Sequence, residues 1–108
     1  DEAEIGNLSP DFARVAAIEM GMVIVTAPGH TCDFVSRFFA PGAGIPEDPV
    51  TGSAHCILAP YWAQRLGKTR MAARQISRRG GDLTVEMRGD RVLLYGRVAP
   101  YLQGRIHV

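Results

Sequence analysis

The chain has 108 residues, 46% of them hydrophobic and 21% charged, with a formal net charge of +1. That length suits one domain with a modest core, residues 1–108, and the near balance of charge lacks the basic excess of nucleic-acid and polyanion binders. No apolar run approaches the roughly 20 residues that cross a bilayer. No signal peptide is visible, and Cys32 and Cys56 lack a CxxC spacing. The expectation is a cytoplasmic protein in reducing surroundings, with neither nucleic acid nor membrane as partner.

In chain order, Asp1 to Leu8 reads as an acidic lead-in. Ser9-Pro10 predicts a helix start, with Ser9 as cap and Pro10 in the first turn, and Gly21 ends that helix. Met22 to Ala27 is short and β-branched, as a buried strand would be. Pro28-Gly29 turns the chain into a second strand, Cys32 to Phe39. Alternation there sets Phe34, Ser36 and Phe38 on one face and Val35, Arg37 and Phe39 on the other. A loop stiffened by Pro41, Pro46 and Pro49 leads to a helix over Thr51 to Leu66. That helix is apolar nearly all round, which predicts a central, buried position with Cys56 facing the core. Pro60 lies inside it and should kink or split it. Four β-like segments follow: Arg70 to Ser77, Asp82 to Arg88, Arg91 to Tyr95 and Arg97 to Leu102. Gly80-Gly81 and Gly89-Asp90 mark turns between them. The fold class expected is α+β: a curved, mixed, barrel-like sheet wrapped around one central helix.

The chemistry concentrates at Glu47-Asp48-Pro49-Val50-Thr51-Gly52-Ser53-Ala54-His55. A helix start offers free backbone N–H groups and the positive end of the helix dipole, an anion seat. Gly52 lets a ligand approach the backbone. Asp48, just upstream, is a candidate proton donor and acceptor, or else a carboxylate that braces the loop. Gly52 and Ser53 are either the anion seat or ordinary helix-start residues. Thr51 reads as the N-cap, with a lesser claim to touch ligand. His55 is either a core histidine or a cleft residue. Arg37 either pairs with Glu47 or Asp48 or binds a substrate carboxylate. Gln75, Ser77 and Arg78 to Gly81 read as a strand end and turn, with Gln75 or Ser77 alternatively lining the cleft.

This run closely resembles the PhzF-like phenazine-biosynthesis family. So do Asp33 to Pro41 upstream and Pro60-Tyr61-Trp62, Leu66-Gly67-Lys68, Gln75 to Gly81 and Arg91 to Gly96 downstream. The resemblance implies the diaminopimelate-epimerase-like fold, in which two similar halves, each a sheet around a helix, enclose an active-site cleft. It implies cofactor-free isomerisation by a proton shift on a small cyclic amino acid, dihydro-hydroxyanthranilate in the best-known members. The family's second-half aspartate falls on Asp48 and its helix-start pair on Gly52 and Ser53. The related epimerases use two cysteines as acid and base; Thr51 stands at the equivalent helix start, so a two-cysteine mechanism is not expected.

The resemblance covers only the second half of the family. The glutamate and histidine of the first half have no counterpart here, and His30, His55 and His107 lie outside that motif. The chain is then a fragment of a longer enzyme, a free-standing half, or one of two copies that pair, a homodimer with two Asp48/Gly52/Ser53 sites facing one cleft. The resemblance implies an isomerase acting on a small carboxylate-bearing molecule, with no cofactor and no metal. The alternative is a non-catalytic half that binds a small acid or supports assembly.

Overall fold

The computed structural model describes residues 1–108. Two antiparallel ribbons make its sheet. The first joins β1 (Val23–Pro28), β2 (Phe34–Ala40) and β3 (Ile45–Asp48); the second joins β4 (Arg70–Gln75), β5 (Gly81–Arg88) and β6 (Arg91–Tyr95). They meet along a short parallel seam, Phe34 to Ser36 of β2 against Ala73 to Gln75 of β4. The result is a six-stranded mixed sheet of order β1-β2-β4-β5-β6, with β3 on β2 beyond the end of β4. The sheet is not closed: β1 and β6 end its main path, and β3 pairs with β2 alone. The α+β class stands, with one long helix, α3 (Gly52–Leu66), packed on the sheet.

Period-two burial along β4 places Met71, Ala73 and Gln75 inward. Met71 and Ala73 meet Phe34, Val85 and the Leu58, Ala59 and Trp62 face of α3 in one core. Phe34 and Trp62 stack with ring centroids 5.7 Å apart and planes 6° from parallel. The Trp62 indole Nε1–H donates to Thr26 Oγ1 at 2.9 Å, so the ring is anchored at its polar end as well.

Several expectations change. Asp1 to Leu8 is not a lead-in: Glu2–Asn7 forms α1, opened by a capping box between Asp1 and Glu4. The next helix, α2 (Phe12–Ala17), starts two residues later than predicted. Its cap is Asp11, whose carboxylate accepts from the Ala13 and Arg14 amides, rather than Ser9. It ends at Ala17, and a 3-10 turn over Glu19–Gly21 carries the chain to β1. Part of the expected proline-rich loop is a strand, β3; a register shift between Phe39 and Ala40 passes over Pro46, so the missing N–H is not called upon. Pro60 does not split α3, which runs continuously over 15 residues.

The sheet covers only one side of α3, at Ala54, His55, Leu58, Ala59 and Trp62. Ile57 is 63% and Tyr61 44% exposed, and Cys56 is exposed rather than core-facing, because the helix lies on an open sheet instead of inside a closed one. The predicted strand Arg97 to Leu102 does not form. Residues 96–108 have no regular structure, and Val98, Tyr101, Leu102 and Ile106 are exposed. With no neighbouring strand to pair with, their β character goes unused.

Candidate functional site

The site is built where β3 hands the chain to α3. Asp48 closes β3 opposite Phe38. Pro49 and Val50 then cross to Thr51, the extended cap residue of α3. This crossing is fixed from below by the turn between β4 and β5. Ser77 Oγ donates to the Pro49 carbonyl at 2.8 Å and accepts from the Gly80 amide at 3.0 Å. Val50 lies against Gly81, where a Cβ would come within 2.2 Å of Val50 Cγ2, so only glycine admits this approach.

Thr51 does not cap the helix with its side chain. Its hydroxyl instead donates to Asp48 Oδ2 at 2.6 Å. Its amide donates to Gln75 Oε1 at 2.8 Å. The following amides, Gly52, Ser53 and Ala54, are the first-turn donors that an α-helix leaves without intrahelical partners. Gly52 and Ser53 lie on open surface. A Cβ on Gly52 would meet nothing nearer than Leu94 Cδ1 at 3.6 Å, so packing within the chain does not demand glycine there. Asp48, half-buried, stands beside this start through its bond to Thr51. The structure thus brings Asp48, Thr51, Gly52 and Ser53 together: a carboxyl group next to uncapped amides at a positive helix end.

His55 lies beneath this cluster, and Arg37 is turned to Glu47. His55 is fully buried beneath the start of α3. Its Nδ1 lies 2.7 Å from the Thr51 carbonyl, which can only accept, so Nδ1 carries the proton. Burial lowers its pKa below the ordinary imidazole value, leaving Nε2 as a neutral acceptor. Nε2 and Ser36 Oγ are buried without partners. Arg37 is a brace. Its Nε and Nη2 pair with both oxygens of Glu47, at 2.7 and 2.9 Å, and its Nη1 donates to the Ile5, Gly6 and Leu8 carbonyls at the end of α1. The hydrogen bonds to Glu47 raise the guanidinium pKa further.

Gln75, expected at a strand end with the cleft as the alternative, ends β4 and belongs to this cluster. It is fully buried and ties Asp48 to Thr51. Its signal was present: in Arg70 to Gln75, alternation places the amide on the same inward face as Met71 and Ala73. An amide on an apolar face needs partners, and the loop supplies them.

A groove of about 760 Å³ runs over the outer face of β4 and β5 and reaches the crossing loop only at Val50. Asp48, Gly52 and Ser53 do not line it, and Gly52 and Ser53 are exposed. No three His, Cys, Asp or Glu side chains converge as a metal centre.

Comparison with known proteins gives a consistent picture. The profile of the family described as Phenazine biosynthesis-like protein matches residues 1–104. An uncharacterized isomerase of Pseudomonas aeruginosa is 53% identical over 108 residues, covering 100% of this chain and 42% of its own length. A Phenazine biosynthesis-like domain-containing protein of Homo sapiens is 53% identical over 75 residues, 68% of this chain and 26% of that one. A PhzF-family crystal structure from Enterococcus faecalis superposes with a TM-score of 0.84 at 49% identity, covering 87% of this chain and 36% of that chain. A putative PhzC/PhzF protein from Clostridium difficile superposes equally well, at 41% identity over 100% of this chain and 42% of its own. The chain spans about two fifths of the length of the first curated relatives it matches.

Proposed function

Because this chain belongs to the phenazine biosynthesis-like (PhzF) family, we propose that it is the second half of a cofactor-independent isomerase unit acting on a small carboxylic or amino acid. Asp48 gives and takes the proton. The Gly52 and Ser53 amides hold the substrate carboxylate, and they strengthen as a seat wherever negative charge develops. The observation that carries this reading is the bond from the Thr51 hydroxyl to Asp48, which sets a carboxyl group beside an uncapped helix start. Thr51, Arg37 and His55 act from inside, through Asp48, Glu47 and the Thr51 carbonyl respectively.

The test is proton exchange in deuterated water, by NMR, with a panel of small cyclic and acyclic amino acids. Protein-dependent loss of a carbon-bound proton is expected from at least one of them. Binding without exchange across the panel would replace the isomerase with a non-catalytic acid-binding half.

The seat has its own check. Gly52→Ala is expected to keep the fold, with a melting temperature at or slightly above the wild type's, because the new methyl meets only an ordinary contact and alanine has less freedom to lose on folding. It should weaken carboxylate binding by about tenfold, because the methyl stands in the ligand's path to amides that alanine otherwise keeps. Titration calorimetry with a bound panel member reads this; undiminished affinity would remove the seat from Gly52.

The half missing from the cleft is supplied by a second copy when this chain stands alone. Its support is the uncovered face of α3 with Ile57 and Tyr61, together with the exposed tail. Light scattering should return about twice the 11.7 kDa chain mass. A monomer at every concentration would assign the other half to the rest of a longer protein.

A further inference from the structure

Gln75 is chemically saturated by the two residues on which the proposed site depends. Its Oε1 accepts from the Thr51 amide at 2.8 Å. Its Nε2 donates to the Asp48 carbonyl at 2.7 Å and to Thr51 Oγ1 at 3.0 Å. The orientation of the amide is not arbitrary. A backbone N–H must be accepted and a backbone carbonyl must be donated to, so only one flip satisfies both. Both Nε2 hydrogens are then in use.

This fixes the Thr51 hydroxyl in turn. Its oxygen already accepts a hydrogen from Gln75, so its own hydrogen is directed at the remaining neighbour, Asp48 Oδ2, 2.6 Å away. Oδ2 is thereby occupied and Oδ1 makes no hydrogen bond within the chain. The carboxylate is held by one oxygen and presents the other. A carboxylate at position 75 could not do this: it has no hydrogen for the Asp48 carbonyl or for Thr51, and it would bury a negative charge beside Asp48.

We infer that Gln75 and Thr51 are a pair of positioning residues that lock the Asp48 side chain in one rotamer, with Oδ1 as the atom that exchanges a proton with substrate. This deepens the proposed function and rests on it. The relay runs from the inward face of β4, through the helix cap, to the end of β3, so three elements must be correctly docked before Asp48 is aimed.

The decisive variant is Thr51→Val, which keeps the β-branched shape and removes only the hydroxyl. Thr51→Ser restores it. The direct readout is the set of three-bond couplings that report Asp48 χ1 by NMR, with the backbone spectrum confirming the fold. Wild type and Thr51→Ser should show a single rotamer; Thr51→Val should show averaged couplings. Gln75→Leu should also average them, but it removes a buried amide and can unfold the chain, so Thr51→Val carries the decision. Any panel acid that exchanges supplies a second readout: Thr51→Val should lower kcat tenfold or more with KM within about threefold, and Thr51→Ser should recover kcat. Single-rotamer couplings in Thr51→Val would overturn the inference whatever the activity. Averaged couplings with exchange that is unchanged by Asp48→Asn would leave the lock intact and remove the catalytic reading of Asp48 instead.

Discussion

Asp48→Asn is expected to lower proton exchange by two to four orders of magnitude, the range that a positioned acid or base contributes. It should leave binding of the same acid within about threefold. The separation follows from what Asp48 does inside the chain. Gln75 binds its backbone carbonyl, which the substitution does not touch. The Thr51 hydroxyl needs an acceptor at Oδ2, and an asparagine carbonyl oxygen is one. The helix start and its amides therefore remain, while the group that can carry a proton is gone. Exchange rates and calorimetry on the same preparation measure both halves of the expectation. Undiminished exchange would remove Asp48 from the chemistry, and binding lost in parallel would make it a binding group.

Trp62→Ala is expected to produce the largest loss of stability, about 3–5 kcal/mol, the usual cost of truncating a large buried aromatic. Trp62 is only 6% exposed, stacks flat on Phe34, and bonds Thr26 across the sheet. It bonds and stacks on the first ribbon, at Thr26 and Phe34, and shares one core with Met71, Ala73 and Val85 of the second. Against the roughly 5–15 kcal/mol that sustains a domain, such a loss should lower the melting temperature by on the order of 15–30 °C. Trp62→Phe keeps the stack and loses the indole bond, so about 1–2 kcal/mol is expected there. Chemical denaturation of the two variants separates ring from bond. A loss below 1 kcal/mol for the alanine variant would mean that the core closes without this contact.

The parts of the fold visible in the sequence were those with strong local grammar. Thr51-Gly52-Ser53 announced the start of α3, and β-branched Met22 to Ala27 announced β1. The misses have physical causes. α1 has too few apolar residues for periodicity to register, although Asp1 and Glu4 carried its capping box. An all-round apolar helix points to full enclosure and so to Cys56 in the core; the sheet stops at one side of it, and Cys56 is exposed. Arg97 to Leu102 has strand composition, but a strand needs a partner and none lies beside it. At the site, the motif named Asp48, Gly52 and Ser53. It could not tell that Arg37 is consumed by Glu47 and the end of α1, because that pairing is set by the β2–β3 register. Gln75 was hidden by distance along the chain, as its partners are 24 and 27 residues away.

The parallel seam has a kinetic consequence. Each ribbon closes through short local turns, so its strands can pair early and independently. The seam between Phe34–Ser36 and Ala73–Gln75 cannot form until the whole β3–α3 crossover has looped back, which puts the entropy of that closure on a short stretch of backbone pairing. Gln75 is the last residue of that seam. Asp48 and Thr51 therefore stand on one side of this seam and their amide clamp on the other, so the carboxylate is aimed only where the seam is closed.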